Sequence, residues 1–85
     1  MAWRKGFAWT DRAKAQLRAI DQQTALRILH SLTRLAQTGE GDVKQLHDSD
    51  PPEYRLRVGD YRVFFRYRDD GIQVEAVKHR REAYR

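Results

Sequence analysis

Apolar and charged residues alternate through the C-terminal third of the chain. Arg55 and Arg57 separate Tyr54, Leu56 and Val58, and Arg62, Phe64 and Arg66 separate Tyr61, Val63, Phe65 and Tyr67. A period of two marks strands that bury one face. Gly59-Asp60 lies between the two runs and suits a two-residue hairpin loop. That loop sets Val58 opposite Tyr61, Arg57 opposite Arg62, Leu56 opposite Val63 and Arg55 opposite Phe64. Asp70-Gly71 is a second turn signal, and Ile72 to about Lys78 reads as the next strand. With Asp70-Gly71 as the loop, Tyr67 faces Val74, Arg66 faces Glu75, Phe64 faces Val77 and Arg62 faces His79. Arg57, Arg62 and His79 then form one row across three strands.

The period changes upstream. Trp3 to Trp9 reads as a first strand, with Trp3, Lys5, Phe7 and Trp9 on one face. Thr10 or Asp11 suits a helix N-cap, and Ala13, Leu17 and Ile20 follow at helical spacing. Asp21 caps a second helix whose stripe is Ala25, Ile28, Leu29, Leu32, Leu35 and Ala36, and Gly39 closes it. The two helices make an αα-hairpin. Gly39 to Glu53 is rich in Gly, Asp, Ser and Pro and reads as a long connection anchored by Val43 and Leu46. The expected architecture is α+β, in the order β-α-α-β-β-β. An antiparallel sheet carries the helical hairpin on one face, in one domain spanning residues 1–85.

Eighty-five residues support one small core. The absence of cysteine excludes disulfides and thiolate metal sites. Residues 2–8 include Arg4, Lys5 and Gly6 and lack the apolar run of a signal peptide. No stretch is apolar enough to span a bilayer. A cytoplasmic protein with no membrane partner is expected.

Charge sharpens the picture. The net charge is +5, and it is uneven: residues 1–53 carry eight Lys/Arg against seven acids, and residues 54–85 carry nine against five. Eight of those last nine are Arg, the residue suited to bidentate phosphate contact and base stacking. Like charges directly opposite in a sheet are destabilising. The Arg57–Arg62 pair therefore needs a reason outside folding, and a bound polyanion such as RNA or DNA supplies one.

Arginines with one histidine and no metal-ligand cluster suit RNA phosphodiester chemistry without metal or cofactor. RNA carries its own nucleophile in the 2′-hydroxyl. Guanidinium donors stabilise the charge that builds on the phosphoryl oxygens, and His79 is the group in the row suited to proton transfer. Phe64, on the arginine face, can stack a base. Lys78 and Arg81 add cations for RNA at the end of the last strand. Tyr84 can fold back over the same face. His30, in the second helix, and His47, in the connection, read as structural or surface residues.

The run Tyr54-Arg55-Leu56-Arg57-Val58-Gly59-Asp60-Tyr61-Arg62-Val63, then Asp69-Asp70-Gly71, then His79-Arg80-Arg81-Glu82-Ala83-Tyr84, resembles the RelE branch of the RelE/ParE superfamily of bacterial toxins. The resemblance implies a type II toxin that cleaves messenger RNA in the ribosomal A site, without metal, by 2′-hydroxyl attack. By matching positions it implies that Arg55 and Arg57 contact the substrate backbone and activate the nucleophile. It places Arg62 at the phosphorane, Arg80 at the leaving group, and Tyr84 on the scissile nucleotide. It further implies a cognate antitoxin, bound in a toxin–antitoxin hetero-oligomer, with the ribosome and messenger RNA as the other partners. This chain has Arg55 and Arg57 where some members have lysines. A guanidinium is a poor base at neutral pH, so the general base is open and His79 is a candidate. Two other readings are a ParE-like inhibitor of DNA gyrase, which does not need the arginine row, and a non-catalytic nucleic-acid-binding module.

Overall fold

Thr10 starts the helical layer. In the computed structural model, which describes residues 6–47, 49–68 and 71–83, its hydroxyl accepts the Ala13 N–H at 3.1 Å. Helix α1 (Asp11–Arg18) follows directly. Asp21 then caps α2 (Gln22–Thr38) by accepting the Thr24 N–H at 3.0 Å. Those contacts hold the Asp21 carboxyl below its usual value, chiefly through the Thr24 backbone N–H. Gly39 ends α2 in the left-handed region at φ 79° and donates its N–H to Leu35 O. No helix among the described residues is long and apolar enough to cross a membrane.

The sheet has five strands: β1 (Phe7–Trp9), β2 (Asp42–Gln45), β3 (Tyr54–Val58), β4 (Tyr61–Arg68) and β5 (Gly71–His79), in the order β1-β5-β4-β3-β2. A one-turn helix, α3 (Arg80–Ala83), follows β5. The α+β architecture with a helical hairpin on one sheet face is as expected, with two additions. The connection after α2 contains β2, which pairs antiparallel with β3, Val43 opposite Leu56. A segment with one apolar residue gives little signal by itself; its partner strand makes it a strand. Strand β1 runs parallel to β5, so the sheet is mixed. Trp3 and Lys5 lie outside the described residues.

Ile28, Leu32 and Leu35 of α2 and Ala13 of α1 pack on Leu56, Val58, Val63, Phe65, Ile72, Val74 and Val77. Val63, Phe65 and Val74 are fully buried. The opposite sheet face carries Arg55, Arg57, Arg62, Phe64 and Lys78.

The β3–β4 register is as expected, with Arg57 opposite Arg62 and Val58 opposite Tyr61. The β4–β5 register differs from the expectation. Arg68 pairs with Gly71, so Gly71 belongs to the strand rather than the loop, and Tyr67 faces Ile72. Gly71 is required there, because a Cβ would meet Gly6 O at 2.7 Å, while the next residue's N–H bonds that oxygen at 3.0 Å. Pairing then shifts by one residue between Phe64 and Phe65, and Glu75 is the extra residue of a bulge. The bulge turns Ala76 and Lys78 toward the arginine face. Val77 and His79 turn toward the helices.

Candidate nucleic-acid interface

The hairpin turn aims Arg62. Gly59, at φ 57°, sits in the left-handed region, and Gly59 O and Tyr61 O each accept from Arg62 Nη1 at 3.0 Å. Arg62 is 8% exposed and its Nε has no hydrogen-bond partner. The two carbonyl contacts of Nη1 fix the guanidinium beside the turn.

Register builds the rest of the face. Asp42 is opposite Arg57, Arg57 opposite Arg62, and Arg62 opposite Lys78, one row across β2, β3, β4 and β5. The next row is Lys44, Arg55, Phe64 and Ala76. Arg57, Asp42 and Lys44 are exposed, and Arg55, Phe64 and Lys78 are half-buried. The structure therefore gathers Arg55, Arg57, Arg62, Phe64 and Lys78. Arg66 also faces this side but is engaged. It pairs with Glu75 at 3.9 Å and donates to Pro51 O, and Glu75 accepts from Gln73 Nε2 at 2.6 Å. The Arg66–Glu75 pair thus forms diagonally, because Arg66 stands opposite Gln73.

His79 is not in the row. It is opposite Tyr61, its ring meets the Tyr61 ring edge-on at 5.3 Å, and its Nδ1 accepts the Arg81 N–H at 3.2 Å. The bulge at Glu75 is the physical cause, since one extra residue flips every later side chain. Lys78 takes the place expected for His79. Arg81 lies on the helix side as well, in a groove of about 580 Å³ lined by Gln16, Ile20, Tyr61, Val77 and His79 among others. Arg80 returns to the hairpin turn: its N–H bonds Asp60 O at 2.7 Å and its Nε lies 3.8 Å from Asp60 Oδ1. It thus stands beside the turn that aims Arg62. Tyr84 lies outside the described residues.

Asp42 and Lys44 were missed in the sequence. The sign was there: Val43 sits between two charged residues, the alternation of a half-buried strand, but over too few positions to stand out. Among the described residues no three His, Cys, Asp or Glu side chains gather as a metal-binding group.

The fold is that of known toxins. Over 91% of this chain and 94% of the other, it superposes on the toxin of the RelB-RelE antitoxin-toxin complex from Methanococcus jannaschii, with a TM-score of 0.74 and 21% identity. The archaeal RelE-RelB complex from Pyrococcus horikoshii OT3 gives 0.73 at 23% identity, over 93% and 98% of the two chains. The YoeB-YefM complex from Staphylococcus aureus gives 0.72 at 16%, over 89% and 97%. No curated protein sequence matches the chain. These likenesses define a RelE-like fold. Residues 7–84 match the family described as ParE toxin of type II toxin-antitoxin system, parDE, and the chain belongs to that family. It is a toxin of a type II toxin–antitoxin system.

Proposed function

We propose that this toxin is an endoribonuclease that cuts messenger RNA in the ribosomal A site by 2′-hydroxyl attack, without a metal ion. The observation that carries the reading is the Arg57–Arg62 pair, two like charges directly opposite on an otherwise well-formed hairpin. A phosphate between them turns a repulsive pair into a bidentate clamp. Arg62 is the pre-aimed member and holds the charge of the phosphorane. Arg57 and Arg55 take the backbone of the strand, Phe64 stacks a base, and Arg80 adds positive charge at the turn. Tyr84 keeps the role the resemblance implies, on the scissile nucleotide.

Two of the RelE-fold structures above are complexes with the antitoxin RelB. We carry that arrangement over: a cognate antitoxin binds this chain and silences it, and the toxin acts in the cytoplasm on ribosomes and messenger RNA. The match to a ParE family favours one other reading, inhibition of DNA gyrase as a binding partner.

One experiment separates the two. Wild type and Arg62→Ala are expressed inducibly, and a translated messenger is mapped by primer extension. Cuts within codons and growth arrest with wild type, both lost in the variant, are expected. Growth arrest without cleavage moves the target to gyrase.

A further inference from the structure

The row that holds Arg57 and Arg62 ends in two groups of opposite chemistry. Asp42 stands at the β2 end and Lys78 at the β5 end, on the same face as the arginines. A guanidinium stays protonated at neutral pH and is a poor proton acceptor or donor. The arginines can therefore hold a phosphate, but the two proton transfers of RNA cleavage must be done by other groups. We propose that Asp42 is the general base that takes the 2′-hydroxyl proton, and that Lys78 protonates the departing 5′-oxygen. This rests on the endoribonuclease reading above.

Placement favours the assignment. Asp42 is exposed, and among the described residues neither it nor the facing Arg57 makes an ion pair within 4.0 Å. In-line displacement needs the nucleophile and the leaving oxygen on opposite sides of phosphorus. The row supplies a proton acceptor on one side of the two arginines and a donor on the other. Strands lie ~4.8 Å apart, so three spacings separate the Cα atoms of Asp42 and Lys78 by ~14 Å. That span accepts a phosphate and two hydrogen bonds of roughly 3 Å each, with the longer lysine reaching inward. His79, turned to the helix side, is not available.

The step balances. Asp42 removes the proton from the 2′-oxygen, and that oxygen forms a bond to phosphorus. The P–O5′ bond breaks, its electron pair goes to O5′, and the Lys78 ammonium gives that oxygen a proton. The products are a 2′,3′-cyclic phosphate and a 5′-hydroxyl end. The placement also sets polarity: the 2′-hydroxyl side of the scissile phosphate lies toward β2 and the downstream nucleotide toward β5.

The test uses the full-length toxin and ribosomes programmed with a codon whose scissile link carries either oxygen or sulfur at the 5′ position. A 5′-thiolate leaves without a proton. Asp42→Asn should slow single-turnover cleavage by about 10²–10⁴-fold on both substrates. Lys78→Met should be slow on the oxygen substrate and restored by sulfur. Wild-type cleavage that persists unchanged in Asp42→Asn overturns the proposal and leaves the nuclease reading intact. So does a faster Asp42→Asn, which would make the carboxylate a group that repels RNA. Rescue of Asp42→Asn by sulfur would reverse the assignment. A wild type that cleaves neither substrate overturns the nuclease reading itself.

Discussion

The side-chain oxygen of Gln16 accepts the backbone N–H of Val77 at 2.7 Å, joining α1 to β5 across 61 residues of sequence. At the other end of the bulge the Thr10 hydroxyl donates to Glu75 O at 2.9 Å. Two polar side chains of the helical layer thus meet backbone groups where the β4–β5 ladder is interrupted. The consequence reaches the other face of the sheet, because the bulge puts Lys78 rather than His79 beside Arg62.

Replacing Gln16 by Leu leaves the amide of buried Val77 without its side-chain acceptor. The expected loss is about 1–3 kcal/mol. Urea unfolding of the purified variant against wild type measures it. A loss near zero would show that the bulge holds without this bond.

His79 faces the helices, so His79→Ala should leave messenger cleavage near the wild-type rate. Its edge-on contact with Tyr61 is worth about 0.5–1.5 kcal/mol, and the variant should lose about that much stability. Single-turnover cleavage and thermal melting, read on one preparation, separate the two effects.

Arg57 is exposed and free of ion pairs among the described residues. Arg57→Ala should weaken single-stranded RNA binding and lower the log–log salt slope by about 0.7, the share of one phosphate contact. Binding titrations over a range of salt read both. An unchanged slope would mean that Arg57 does not touch the backbone.

Asp21 caps α2 with its carboxyl held below the ordinary value of 3.8 by the Thr24 contacts. A carboxyl whose folded value is depressed stabilises the fold above its unfolded value, and that contribution fades as pH falls through the folded one. Asparagine keeps a capping oxygen without the charge. The stability gap between wild type and Asp21→Asn should therefore shrink as pH drops below 3.8. Acid unfolding followed by circular dichroism checks the sign.

Much of this molecule is legible in short windows of sequence. Thr10, Asp21 and Gly39 mark helix ends because capping needs only near neighbours. The Ile28, Leu32 and Leu35 stripe and the alternation from Tyr54 to Tyr67 show which faces are buried, because each element has one period. Gly59-Asp60 sets the first hairpin, so Arg57 faces Arg62 on sequence grounds alone. Other features depend on residues far apart in the chain. Strand β2 exists because β3 offers it an edge, and with it come Asp42 and Lys44. Gly71 enters β5 because Gly6 O lies against it. The bulge at Glu75 is met by Thr10 and Gln16, which no local pattern connects to it. Local propensity decides which face of a strand is apolar. Which residue completes a row across four strands is decided by register, and register past a bulge is set by hydrogen bonds from another layer of the fold.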